Sequence, residues 1–521
     1  MKKKEKKKVF TRVLNTIERT GNRLPHPITL FALFTLAIVL VSALCSLLGV
    51  SATGELIDPK TLETTVQTVN AVSLLSRDGI VYMLTQAVNN FTGFAPLGVV
   101  LVTMLGVGCA EGSGFLSAAL KKLVAVTPPA VVTPMLVFLG VMSNVATDIG
   151  YVILIPVGAM IFMAYGRHPL AGLAAAFAGV SGGFSANLII GAFDPMMAGI
   201  STEAAHIIDS TFLVKATDNW FFMIVSTVLI VILGTVITNK VVEPRLGKFE
   251  PLGHEDAGAL TRITRRETSG LKWASLVLLF LILALVITAV LPNSILRNAE
   301  TGSLTTNAPL IDGLIIILAL LFFIPSVVYG RISGTLKGQH DVSVQLEKNM
   351  ATMGSYIALI FVAAQFINFF NYSKLGTILA IKGADFLKSS GISGPLLMVI
   401  FVFFTAFINL FMGSATAKWT ILAPIFVPMF MMLGYSPALT QVAYRIGDSC
   451  TNLITPLMSY FAMIVVFAKK YDKKSGIGTL ISMMIPYSLA FLIGWSLLLV
   501  AWMVLDLPLG PGAFSLLPGI Q

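Results

Sequence analysis

Four residues in the last fifth of the chain carry the strongest chemical signal. Arg445, Asp448, Ser449 and Asn452 are spaced i, i+3, i+4 and i+7, which puts all four on one helix face. They lie in an apolar stretch, 438–468, long enough to cross a bilayer. Ionisable side chains there are costly and normally face a cavity or a partner. The planar fork of Arg445 suits a substrate carboxylate. Asp448 could neutralise Arg445, bind a cation or carry a proton. A purely structural Arg–Asp pair is the alternative, but it leaves the polar clusters nearby unexplained. In the first half of the chain Asp194 precedes Pro195, and proline disfavours helix at the residue before it. Asp194 therefore marks a local break. It is a candidate proton or cation site, or a cap of the segment that follows.

These residues belong to a module that occurs twice. Pro156 and Pro424, Pro169 and Pro437, Gly179 and Gly447, and Ser181 and Ser449 each stand 268 residues apart. Each copy opens with two short apolar arms around a polar tip, over 129–165 and 394–433. The tips hold Ser143, Asn144, Thr147 and Asp148 in one copy, and Ser414, Thr416, Lys418 and Trp419 in the other. Each pattern predicts a re-entrant helical hairpin, whose tip leaves backbone amides and carbonyls unpaired. Carbonyls and hydroxyls at Ser143, Asn144, Thr147, Ser414 and Thr416 are a candidate Na⁺ site, and half-helix N-termini favour anions. Asn187 and Asn452 could add carbonyl oxygens. The plainer reading is that small residues let helices pack closely. Trp419 could stack on an aromatic substrate, where a Trp at the membrane interface would be the plainer case.

The elements that position these residues follow from composition. Of 521 residues 56% are hydrophobic and 12% charged, which makes the chain an all-α polytopic membrane protein. Full spans are expected at 28–50, 92–111, 170–200, 219–239, 273–292, 309–329, 351–371, 438–468 and 480–505. Spans 170–200 and 438–468 are too long, since thirty-one helical residues reach ~46 Å against ~30 Å of hydrocarbon. Their internal glycines and prolines predict interruption. The net charge of +10 sits in loops and sets orientation, with no pattern for nucleic acid. Nine Lys/Arg fall in the first 23 residues, seven in 240–272, and four more at Lys469, Lys470, Lys473 and Lys474. Nine spans then place the N-terminus in the cytoplasm and the C-terminus outside, with Lys374, Lys382 and Lys388 as exceptions.

The predicted organisation is a basic N-terminus (1–27), a first repeat (28–239), a loop and connecting span (240–308), a second repeat (309–505) and an outer tail (506–521). The odd span between the repeats inverts the second relative to the first. The first copy carries no counterpart of Trp419, Arg445 or Asp448. Substrate recognition is therefore expected to lean on the second half, with ion chemistry at Asn144, Asn187 and Asp194 in the first. Nothing suggests an enzyme. The five histidines are scattered, there is no P-loop, and Gly447-Asp448 lacks the second aspartate an intramembrane protease needs. Cys45, Cys109 and Cys450 form no disulfide framework.

At these motifs the chain resembles the p-aminobenzoyl-glutamate transporter (AbgT) family. The likeness rests on residues 21–31, on 167–187 around Arg167-His-Pro and Asn187, on Gly413-Ser-Ala-Thr-Ala-Lys-Trp419 and on Tyr444-Arg-Ile-Gly-Asp-Ser449. It covers nearly the whole chain. The resemblance implies a homodimeric transporter of the bacterial inner membrane, with nine spans, two re-entrant hairpins and a transport core beside a dimerising scaffold. It implies uptake of p-aminobenzoyl-glutamate, or proton-driven export of sulfonamide-type antifolates. It carries functional roles onto Asp194, Asn409, Thr416, Trp419, Pro437, Arg445, Asp448 and Pro456. The expected function is thus secondary transport coupled to H⁺ or Na⁺, without a cofactor. Transport of another small carboxylate, or a passive channel, remains open.

Overall fold

The computed structural model describes residues 25, 27–57, 64–125, 127–145, 150–247, 263–291, 294–304, 308–458 and 460–517. Thr147 and Asp148 lie outside the described residues, as do the basic residues of the first 24 positions and the loop 248–262.

Seven helices among the described residues are long and apolar enough to cross a bilayer: Pro27–Leu47, Arg77–Gly112, Trp220–Leu246, Arg265–Val290, Leu314–Ser333, Gly354–Tyr372 and Ile477–Val504. Each matches one expected span. The second is longer than expected, because α2 (Arg77–Thr92) runs on through Gly93 and Phe94 into α3 (Ala95–Gly112). Ahead of these helices stands α1 (Pro27–Leu47), joined to α2 by an antiparallel hairpin of β1 (Ser51–Ile57) and β2 (Thr64–Asn70). That hairpin was not expected, although the Thr-Val alternation of 64–70 is a strand pattern.

The other two expected spans are interrupted. In the first, α7 (Pro169–Phe177) passes through a π-helical turn, Ala178–Gly182, into irregular chain before α8 (Phe193–Ala205). The break falls before Asp194, which lies in the first turn of α8. In the second, α17 (Pro437–Thr451) ends at Asn452 and helix resumes at α18 (Phe461–Tyr471). Between them in the chain lie α9 (Trp220–Ile237), α10 (Arg265–Val290), α11 (Leu314–Ser333), α12 (Gln339–Thr352), α13 (Gly354–Tyr372) and α14 (Leu375–Ser389). The chain closes with α19 (Ile477–Val504).

A pair of short helices precedes each broken span. The first pair is α5 (Val132–Ser143) and α6 (Ile155–Ala164), the latter led in by a π-helical turn from Gly150. The second is α15 (Gly394–Asn409) and α16 (Ala415–Met431). The arms of the first pair reach only ~15–18 Å at 1.5 Å per residue.

The repeat also explains how module and pair fit together. α7 and α17 each begin with proline at the first helical position, capped by His168 Nδ1 and Ser436 Oγ. Gly179 and Gly447, the equivalent glycines, allow backbone contact with the first arm of each pair. A Cβ on Gly179 would stand 2.3 Å from the Val137 carbonyl oxygen; one on Gly447 would stand 2.4 Å from that of Val402. Every residue of α7 and of α17 is buried.

The largest apolar core joins both helix pairs, both broken spans, α9 and α19. A second core packs α1, α13, α14 and the β-hairpin. A small third one packs α4 (Phe115–Ala125) against α10 and α11. The module and the helices around it thus have separate interiors.

Gly179→Val and Gly447→Val should each lower thermal stability in detergent, by at least the ~1–3 kcal/mol of an overpacked core. A melting temperature unchanged in both would contradict the backbone contact.

Candidate functional site

α17 is buried on every side, so its polar residues must find partners inside the protein. They find them in two directions. Toward α8, Arg445 Nη2 lies 2.6 Å from Asp194 Oδ1 and donates to the Ser185 carbonyl at 3.1 Å. The other carboxylate oxygen, Asp194 Oδ2, accepts the Gly191 amide at 2.8 Å, near the positive end of α8. Toward α16, Lys418 Nζ lies 2.6 Å from Asp448 Oδ1, with both side chains 1% exposed.

This corrects one expectation. Asp448 does not neutralise Arg445, although the two share a helix face. Their side chains diverge because α17 is wedged between two elements, each supplying its own counter-ion. Asp194 takes the arginine and Lys418 the aspartate.

Asn409 ties the second pair to the first arm of its hairpin. Its Oδ1 accepts a very short hydrogen bond from Lys418, and its Nδ2 donates to the Asp448 carbonyl at 2.6 Å and to Asn452 Oδ1 at 2.9 Å. Asn452, the C-cap of α17, donates back to Asp448 Oδ2 at 3.4 Å. The Tyr444 hydroxyl donates to the Ala415 carbonyl at 2.5 Å.

Trp419 is fully buried in the second turn of α16, past the tip where the sequence placed it. Its ring packs on Tyr444 at 4.6 Å between centroids, inclined by 31°. Its Nε1 donates to Ser201 Oγ at 3.1 Å, which donates to Gln441 Oε1 at 2.6 Å, and Gln441 Nε2 donates to Asn219 Oδ1 at 2.7 Å. This chain of bonds links the second hairpin to α8, α17 and the start of α9.

A cavity of about 680 Å³ lies beside this cluster. One wall is α3 and α12, through Val100, Met104, Gln345 and Asn349; the other is Asn144, Thr416, Phe193 and Asn452. Its size is that of a small-molecule site. Arg445, Asp194, Lys418, Asp448 and Trp419 stand behind this second wall. Phe193 screens the guanidinium, whose carbon lies 5.7 Å from the ring centroid. Asn452 screens Asp448. Arg445 Nε and Nη1 are buried and have no hydrogen-bond partner among the described residues.

The remaining candidates divide by what they touch. Thr416 Oγ1 reaches Met196 Sδ at 3.0 Å on the cavity wall. The Asn144 amide nitrogen donates to the Gly140, Val141 and Gly183 carbonyls, while its buried Oδ1 has no partner among the described residues. Ser143 Oγ donates to the Gly140 carbonyl, and Ser414 Oγ caps α16 by accepting the Ala417 amide. Both hydroxyls are thus engaged by backbone. Asn187 is buried, with its amide against the Val141 carbonyl. Pro437 starts α17 and Pro456 lies in the break after it; neither lines the cavity. Among the described residues no three His, Cys, Asp or Glu side chains converge as metal ligands.

Sequence reading missed Lys418, Tyr444, Gln441, Ser201 and Phe193 as members of this cluster. Gln441 could have been found, since it lies four residues before Arg445 on the same face. Lys418 could also have been found, because a lysine inside an apolar arm calls for a partner.

Broken helices, paired buried charges and an adjoining cavity in a bundle of membrane-length helices are features of a membrane transporter. Comparison with known proteins agrees. The model of the AbgT putative transporter family matches residues 12–517, and the chain belongs to that family. It is 38% identical over 498 residues to the p-aminobenzoyl-glutamate transport protein of Escherichia coli (strain K12), covering 96% of each chain. Among solved structures it resembles the YdaH transporter of Alcanivorax borkumensis, described as having an unusual topology. The TM-score is 0.87 at 47% identity, over 94% of this chain and 100% of that one. It also resembles MtrF of Neisseria gonorrhoeae, described as illuminating a class of antimetabolite efflux pumps. There the TM-score is 0.89 at 46% identity, over 96% of this chain and 100% of the other.

Removing one partner of a buried ion pair costs about 3–5 kcal/mol, because the other charge stays buried alone. Asp194→Ala should therefore lower the melting temperature of the purified protein far more than Thr416→Ala on the cavity wall. Equal, small shifts would mean that the Arg445–Asp194 pair does not form in solution.

Proposed function

We propose that the protein is an ion-coupled secondary transporter of aromatic, carboxylate-bearing molecules of the p-aminobenzoyl-glutamate kind, of sulfonamide-type antifolates, or of both. The observation that carries this reading is that Nε and Nη1 of Arg445 are unpartnered among the described residues, buried one aromatic ring away from a cavity of small-molecule size. Unpartnered N–H groups of a fixed guanidinium can donate to a carboxylate oxygen. The names of the relatives supply the substrate class. A glutamate carboxylate would meet Arg445, and an aryl ring would meet Phe193 and the Trp419–Tyr444 pair.

In this reading the protein sits in the bacterial inner membrane as a homodimer, with nine crossings and both helix pairs re-entrant. The basic loops place its N-terminus in the cytoplasm and its C-terminus outside. The end of the cavity lined by Gly112 and Lys348 then lies on the cytoplasmic side. Substrate enters against α3 and α12. It reaches Arg445 when Phe193 turns aside and the second helix pair shifts against α17. Because Asp194 already holds Arg445, an arriving carboxylate competes with it, which links substrate binding to the protonation or cation occupancy of Asp194. Asp448, with Asn409 and Asn452 around it, is the second coupling centre, and H⁺ and Na⁺ are the candidate ions. The substrate leaves unchanged, and the protein is no enzyme.

The test is accumulation in liposomes under imposed pH or Na⁺ gradients, with p-aminobenzoyl-glutamate and a sulfonamide as probes. Wild-type protein should concentrate at least one of them, whereas a passive channel never exceeds equilibrium. Arg445→Ala should abolish accumulation while the protein still elutes as a folded particle. Normal accumulation by that variant would sink the assignment. Asp194→Asn and Asp448→Asn should lose the gradient dependence. Mass spectrometry of the accumulated material should return the probe intact.

A further inference from the structure

Lys418 is the one cationic side chain of α16 and stands as the counter-ion of Asp448. It is 1% exposed, and two side chains separate it from the cavity: Asp448, which it touches, and Asn452, which bonds to Asp448 and lines the cavity. Its ammonium has two oxygen partners, Asp448 Oδ1 and Asn409 Oδ1, and they come from two different elements, α17 and α15. The lysine itself belongs to a third. Any displacement of the second hairpin relative to α17 therefore changes the bond between Lys418 and Asp448.

We infer that Lys418 is a proton carrier of the transport cycle: its amine holds a proton while Asp448 stands beside it and releases that proton to cavity water when the hairpin parts the pair. This deepens the proposed ion coupling and rests on it. The balance is simple. R–NH₃⁺ and water give R–NH₂ and H₃O⁺; Asp448 stays a carboxylate, hydrated by the water that enters past Asn452, while the amine stays desolvated on α16, since a hydrated amine would keep its proton. On return of the hairpin the amine takes a proton from the other side. A buried amine keeps its charge only with an anion close by, so geometry alone can gate the step.

The other charged and titratable groups around Lys418 are already committed. On α17, Arg445 is held by Asp194, the Tyr444 hydroxyl donates to the Ala415 carbonyl and also lies 3.4 Å from Asp448 Oδ1, and the buried Cys450 lies within electrostatic reach of Asp448. On α8, which packs against α16, Asp194 faces Arg445 and Glu203 accepts the Ala95 amide. On α14, the third element packed against α16, Lys382, Asp385 and Lys388 are exposed. Asp448 is the carboxylate bound to the lysine among the described residues.

The experiment uses the full chain in liposomes loaded with a pH-sensitive dye, with p-aminobenzoyl-glutamate as the probe. Wild type should show proton movement that depends on substrate. Lys418→Arg keeps the charge but cannot release a proton near neutral pH. It should retain one-for-one exchange of labelled for unlabelled probe, and lose substrate-dependent proton flux and pH-driven accumulation by roughly tenfold or more, within the range of site-to-site coupling. Lys418→Gln, smaller and neutral, guards against an arginine that does not fit; it too should lose substrate-dependent proton flux. Proton flux and pH profile like wild type in either folded variant would overturn the proposal. So would wild-type accumulation driven by Na⁺ alone with no proton movement. Failure of wild type to accumulate probe under either gradient would instead overturn the transport reading beneath it.

Discussion

The structure depends on one constraint: a helix buried on all sides carries ionised residues that need counter-ions from elsewhere. α17 presents Arg445 and Asp448 one turn apart, and water cannot reach either. An isolated charge in that setting costs several kcal/mol. Asp194 from the first repeat and Lys418 from the second hairpin remove that cost. Each solution ties α17 to a different element, so charge neutralisation fixes the position of α8 and of α16.

That arrangement suits movement better than a purely apolar core would. Shape complementarity among aliphatic side chains holds a packing in place without saying which ions or ligands could alter it. Buried ion pairs give selected sites where a proton, a cation or a substrate carboxylate can compete. The polar chain through Trp419, Ser201, Gln441 and Asn219 joins the same elements and carries no charge. The second helix pair, α17 and α8 thus share one network, and α8 also packs against α3 through Met196, Val100 and Met104.

Much of this was legible in the sequence. All nine expected spans fall on helices or on interrupted helix pairs, because ~20 apolar residues between charged loops have few alternatives in a bilayer. The breaks at 183–192 and 452–460 were marked by glycine and proline. The β-hairpin was overlooked, since a short polar strand pair gives a weak signal beside long apolar helices. The structure brings Arg445, Asp448, Asp194 and Asn409 into one buried cluster, in pairs the sequence did not give. Spacing along α17 says that Arg445 and Asp448 share a face, but not which neighbour approaches each flank of that face. Trp419 was read as a tip residue because a sequence shows where polarity begins, not how many turns of helix follow it.

By itself, the sequence determined the class of protein, the twofold module, the broken spans and the helix that carries the buried Arg445 and Asp448. All of these follow from hydropathy, backbone breakers and helical periodicity, which are local properties. Only the tertiary structure decided that Asp194 partners Arg445, that Lys418 partners Asp448, and that Phe193 and Asn452 stand between these pairs and the cavity. Those relations join residues up to 251 positions apart. They depend on how independent elements dock, and no local pattern encodes the outcome.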